Sequence, residues 1–272
     1  MIKRTIIAGA SVLALMTGAA SAATTNVNLA FIVDESGSVG KSNFDDAMDA
    51  LAAAMALVPD ATADIQYTVG VVTFGSSALK VFDPTVMSAG TRAGIVNAID
   101  TKNYNAAPGG GSTNFSAAFN ELRSAFGGKL ADDDISIINM MTDGNVNQSG
   151  GEATATASRN LLKDDNWDSL SFEAVGNIDT GYLCSIAFDT NSDDCGTNIF
   201  DDEADIKDPL TDTFVLKLDR VTGFNSGYSA ALAQKIQKIK DPDPVPVPAA
   251  LPLLVGGLGL MGFVARRRKN KS

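Results

Sequence analysis

Three short stretches of this sequence carry side chains suited to chemistry, and their reactive atoms are all oxygens. Asp34-Glu35-Ser36-Gly37-Ser38 closes one apolar run and Asp143-Gly144 closes another, while Ser112-Thr113-Asn114 follows the glycine-rich Pro108-Gly109-Gly110-Gly111. Asp34 and Asp143 offer carboxylates; Ser36, Ser38 and Thr113 offer hydroxyls. These are hard donors, suited to Mg²⁺, Mn²⁺ or Ca²⁺ rather than zinc. An Asp-x-Ser-x-Ser run by itself is as readily a loop with a helix cap. Joined to a glycine-rich Thr loop and a strand-ending Asp-Gly, it reads as a site for one divalent cation. Histidine is absent from all 272 residues, which excludes a Ser-His-Asp triad, an HExxH zinc site and imidazole general-base catalysis.

The surrounding elements must bring these segments together. Residues 27–33 form a short apolar run of the kind found in a buried parallel strand. Phe44, Met48, Leu51, Met55 and Val58 then recur at helical spacing until Pro59. The β-branched run 65–74 predicts a strand, with 78–82 as its hairpin partner across Gly75-Ser76-Ser77. Further strands are predicted over 135–141, 170–175 and 214–218, and helices over 92–99, 115–126, 152–163 and 228–239. The alternation predicts an α/β fold with a doubly wound, mostly parallel six-stranded sheet covered by helices on both faces. Ligands of such sheets bind at the carboxyl ends of the strands, where Asp34 and Asp143 fall. Residues 178–212 break the pattern: they are polar and acidic, and read as an irregular surface insertion.

Both ends read as export signals. Lys3 and Arg4, an apolar stretch over 6–16 and Ala20-Ser21-Ala22 compose a signal peptide over 1–22. At the other end, a proline-rich spacer over 241–248 precedes an apolar segment over 249–265, long enough to span a bilayer, and a basic tail over 266–272. Residues 23–248 hold 14 basic and 32 acidic residues, a net charge of −18 that excludes nucleic acid as a partner and attracts cations. Outside the cytoplasm disulfides persist, so Cys184 and Cys195 are expected to close a short surface loop.

Two resemblances sharpen this reading. Asp34-x-Ser36-x-Ser38, Thr113 and Asp143 resemble the metal-ion-dependent adhesion site of von Willebrand factor A domains, the group that includes integrin I domains, over residues 24–240. The resemblance implies that Ser36, Ser38 and Thr113 coordinate the ion directly, and that Asp34 and Asp143 act directly or through water. It points to Mg²⁺ foremost, with an acidic group of a protein or matrix partner completing the shell. The departure lies at 178–212, where the family usually places a regular helix and loop. Val245-Pro246-Val247-Pro248-Ala249, the Gly- and Leu-rich span and the Arg cluster are similar to VPLPA-type PEP-CTERM sorting signals of Gram-negative bacteria, with Val247 in place of the usual Leu. That resemblance implies transient passage through the inner membrane and release by an exosortase-type protease to the envelope, cell surface or exterior; a permanent single-span anchor is the alternative.

Three functional classes follow. The first is an exported, non-enzymatic binding module that captures an acidic group through its metal. In the second, a surface or matrix component, the metal only stabilises the fold. The third, a metal-assisted hydrolase, needs a base or nucleophile beside the ion; Glu35 is the nearest carboxylate and should point away. The acidic insertion is either a second, calcium-type site or a solvated loop pinned by Cys184 and Cys195, and Trp167 is read as a packing residue.

Overall fold

The computed structural model describes residues 24–105, 111–144, 146–147, 151–176, 178–218 and 224–240. The signal peptide, the spacer, the apolar span, the basic tail and Gly109-Gly110 lie outside the described residues. The strands are β1 (Thr25–Asp34), β2 (Ile65–Phe74), β3 (Ala78–Val86), β4 (Ile135–Thr142), β5 (Ser169–Val175), β6 (Ile199–Phe200) and β7 (Val215–Leu218). The helices are α1 (Gly40–Ala54), α2 (Arg92–Asp100), α3 (Phe115–Ala125), α4 (Gly151–Asp164), α5 (Thr180–Ile186) and α6 (Phe224–Lys240), with a short 3₁₀ turn at Glu203–Asp205.

The strands form one sheet in the order β3-β2-β1-β4-β5-β7-β6. All pairings are parallel except β2 with β3, whose register shifts next to Pro84. Proline cannot donate to a ladder and is tolerated on this edge strand. Alternation along β1 builds two cores. Val27, Leu29, Phe31 and Val33 pack with Phe44 and Leu51 of α1, Ile95 of α2 and Leu232 of α6. Ala30 and Ile32 face the other way, toward Phe115 and Phe119 of α3, Leu162 of α4 and Leu183 of α5. Burial on both faces is why the central strands read as nearly continuous apolar runs.

The sheet has seven strands rather than the six expected. The extra one, β6, lies inside the acidic insertion and pairs Ile199 with Val215 and Phe200 with Leu216. The insertion is also less irregular than expected, because α5 fills part of it. Cys184 and Cys195 are joined, and both residues are buried against the α3 side of the sheet. Trp167 is buried and meets Phe126 edge-on, ring centres 5.0 Å apart, as a packing residue does. Among the described residues, no helix is long and apolar enough to cross a membrane.

Chain order places the switch point of the sheet between β1 and β4. From β1 the chain winds outward through β2 and β3, then returns to β4 and winds the opposite way. At such a point the loops leaving two neighbouring strands diverge and open a crevice at their carboxyl ends. Asp34 ends β1, and Asp143 follows β4.

Candidate functional site

Asp34 has no exposed surface. Its Oδ1 accepts the backbone N–H of Ser36 at 2.8 Å, and its Oδ2 accepts the Thr142 hydroxyl at 2.6 Å. The first bond turns the chain sharply after β1, and the second ties β1 to β4 across the switch point. The turn stacks two hydroxyls, with Ser36 Oγ 3.1 Å from Ser38 Oγ. Ser38 Oγ in turn donates to Asp143 Oδ1 at 2.8 Å.

Thr113 arrives from a third direction. Its N–H donates to Asn147 Oδ1 at 2.8 Å, and the Asn147 N–H returns a bond to the Thr113 carbonyl at 3.2 Å. The adjoining Asn114 caps α3, accepting the Ala117 N–H at 3.1 Å and donating to the Ser76 carbonyl at 3.0 Å. Gly144 lies against both hydroxyl-bearing segments: a Cβ there would sit 3.3 Å from Thr113 Oγ1 and 3.8 Å from Ser38 Oγ. Gly111, at φ +78°, occupies the left-handed region that favours glycine and packs against Gly37. The five residues expected from sequence therefore converge at one end of the sheet.

Burial pushes the Asp34 carboxyl up to about 7, with the nearby Asp143 charge adding to the effect and the Thr142 and Ser36 hydrogen bonds opposing it. A divalent cation reverses that preference by favouring the carboxylate. The donor set fits a hard cation: two carboxylates and three hydroxyls, with no sulfur or imidazole. Among the described residues, no cluster of three or more His, Cys, Asp or Glu side chains is arranged to hold a metal, so hydroxyls must supply part of any shell here.

Several participants carry no sequence signal of their own. Thr142 and Asn147 orient Asp34 and Thr113. Glu35 points away from the hydroxyl pair, as expected: its Oε2 meets Lys102 Nζ at 2.7 Å and its Oε1 accepts the Thr73 hydroxyl at 3.2 Å. Tyr104 donates to the Ser36 carbonyl at 3.3 Å. Thr142, immediately before Asp143-Gly144, and Glu35, inside the Asp34–Ser38 run, stand at recognised motifs, whereas Asn147 and Tyr104 do not.

The acidic insertion spends its carboxylates locally. Asp189 accepts the N–H groups of Asn191, Ser192 and Thr213 at 2.7, 2.8 and 2.8 Å. Asp193 pairs with Lys163 and Arg159, and Asp201 with Lys217. Asp194 and Asp202 cap the N–H groups of Gly196 and Ala204. These carboxylates are spread over backbone caps and ion pairs, and among the described residues no three of them are grouped to hold a metal ion.

A doubly wound α/β domain whose switch point gathers Asp, Ser and Thr oxygens from three loops defines the class. Residues 28–211, more than half of the chain, match the von Willebrand factor type A domain, and the chain belongs to that family. No curated protein matches it. Among solved structures it resembles proximal thread matrix protein 1 from the mussel byssus, at 16% identity and TM-score 0.56 over 78% of this chain and 47% of that one. A further structure of the mussel protein, with a zinc-occupied MIDAS motif, matches at 15% identity and TM-score 0.52, over 78% of this chain and 47% of that one. A von Willebrand factor type A protein from Catenulispora acidiphila matches at 19% identity and TM-score 0.55, over 78% and 42% of the two chains. The pilus adhesin SpaC from Lactobacillus rhamnosus GG matches at 11% identity and TM-score 0.55, over 79% and 30%. The chain spans less than half the length of these structures, and at such identities the likeness shows the fold alone.

Proposed function

We propose that this chain holds one divalent cation on Asp34, Ser36, Ser38, Thr113 and Asp143, and through it binds an acidic group of a protein or matrix partner outside the cytoplasm. The observation that carries this reading is the fully buried Asp34 beside a chain of hydroxyls leading to Asp143. Three of the five donors are neutral hydroxyls, which leave a bound ion electrophilic, so that an external carboxylate can complete its shell. Mg²⁺ is the foremost occupant; Mn²⁺ and Ca²⁺ share its preference for oxygen. Zinc occupies the corresponding motif in one mussel structure and belongs in any panel of trial metals. Glu35 is committed to Lys102 and Thr73, which supports a binding role over hydrolysis. Residues 1–22 and 241–272 are read as the export and exosortase-dependent sorting signals that carry the domain to the envelope.

Thermal melting with Mg²⁺ and with EDTA tests the site. At about 100 times the dissociation constant, binding to the folded state adds about 2.7 kcal/mol, which raises the melting temperature by roughly 5–10 °C in a domain of this size. The Asp143→Ala variant should show no metal-dependent rise. An equal rise in the variant, or none in the wild type with any metal of the panel, would sink the proposal. A pull-down in Mg²⁺ against EDTA then separates partner binding from a purely stabilising role.

A further inference from the structure

Between α2 and the glycine-rich segment, residues 101–105 cross the Asp34–Ser38 loop at two points. Lys102 Nζ meets Glu35 Oε2 at 2.7 Å, donates to the Asn103 carbonyl at 3.0 Å and lies 5.3 Å from the Phe44 ring centre. The ion pair sets a partly buried ammonium against the fully buried Glu35 carboxylate and so holds Glu35 in place. Tyr104 reaches the next residue of the loop, donating from its phenol to the Ser36 carbonyl while its ring tilts against Phe44 at 5.6 Å. Neither residue is among the proposed ligands.

We infer that residues 101–105 form a strap that presets the Asp34–Ser38 loop for a divalent cation, with Tyr104 and Lys102 as positioning residues acting through the Ser36 carbonyl and Glu35. The inference rests on the metal site proposed above. A Ser36 carbonyl held by the phenol fixes the peptide joining Ser36 to Gly37, and with it the orientation of the Ser36 and Ser38 hydroxyls. Glu35 held by Lys102 and Thr73 is kept from entering as a third carboxylate, so a coordination position stays open to an outside acid. Holding the ligands beforehand reduces the ordering that binding must otherwise supply.

The test is a Mn²⁺ titration of the full chain, with free Mn²⁺ counted by electron paramagnetic resonance and melting recorded without metal. Tyr104→Phe keeps the ring on Phe44 and removes only the donor. It should melt as the wild type does when metal-free, yet bind Mn²⁺ roughly three- to tenfold more weakly, the scale of one hydrogen bond. Lys102→Met combined with Glu35→Gln removes both charges together and should weaken binding by a similar factor. Wild-type affinity in Tyr104→Phe overturns the strap while leaving the metal site standing. A loss of affinity matched by a lower metal-free melting temperature also overturns it, as a structural role alone would do that. A wild type that binds no Mn²⁺ overturns both the strap and the site beneath it.

Discussion

Two carboxylates of this sheet are fully buried and are treated in opposite ways. Glu173 on β5 faces α6, where Lys235 reaches both its Oε1 and Asn139 Oδ1 and lies 4.5 Å from the Phe214 ring centre. Burial pushes the Glu173 carboxyl up and the Lys235 ammonium down, and the attraction between them opposes both shifts. Asp34 at the end of β1 is as deeply buried, but it is met by the Ser36 N–H and the Thr142 hydroxyl; among the described residues no basic side chain pairs with it. A charge in a low-dielectric interior needs a counter-charge close by. For Glu173 the chain supplies one. At Asp34 the surroundings are hydroxyls and a second carboxylate, which suits a cation taken from solution.

The contrast breaks first at Lys235. Lys235→Met leaves Glu173 buried without its cation and should cost about 3–5 kcal/mol in denaturant unfolding, whereas Lys235→Met with Glu173→Leu should recover most of it. If the single variant is no worse than the double, the pair is not what holds α6 to β4 and β5. Asp34→Asn should behave oppositely. Without metal it removes a buried acid and keeps an oxygen for the Ser36 N–H, so the metal-free protein should be no less stable than wild type, and more stable by up to about 2 kcal/mol. Adding Mg²⁺ should stabilise the wild type and leave the variant unchanged. If metal-free Asp34→Asn instead loses several kcal/mol of stability, Asp34 is an architectural residue like Glu173.

The same contrast explains what can be read from sequence. The convergence of Asp34, Ser36, Ser38, Thr113 and Asp143 is legible because they lie on three loops that follow from strands ending at one edge of the sheet. The central strands are legible too, since burial on both faces leaves an apolar run such as Leu29–Val33 without polar alternation. Partners supplied from far along the chain are not. Thr142 reaches Asp34 across 108 residues, and Lys235 reaches Asn139 across 96. A lysine in an amphipathic helix normally faces solvent, and nothing in the α6 sequence marks Lys235 as the inward one. β6 is illegible because its two residues become a strand only by pairing with β7. α5 has a signal, Asp179 capping the Tyr182 N–H at 3.0 Å, hidden in an acidic stretch that reads as loop.

A third carboxylate gives the weakest test of the contrast, at the opposite end of the sheet. Asp168, just before β5, is partly buried and accepts the Ser136 N–H at 2.7 Å at the start of β4. Burial, with the neighbouring Asp134 charge adding, raises its carboxyl above the usual value, and the Ser136 bond only partly offsets this. The native state therefore keeps the Asp168 proton to higher pH than the unfolded chain does. Its contribution to stability is greatest below the unfolded value of 3.8 and is lost as pH rises through the folded one. Asp168→Asn retains an acceptor oxygen for Ser136 and removes the titration, so it should flatten the fall in stability as pH rises above the unfolded value of 3.8. Partial exposure screens the charge, and the gain at neutral pH should stay below about 1 kcal/mol. Urea unfolding of both proteins across that range measures it. Parallel pH profiles would show that the Ser136 bond and solvent together satisfy this carboxylate, leaving Asp34 as the buried acid that, among the described residues, no basic side chain pairs with.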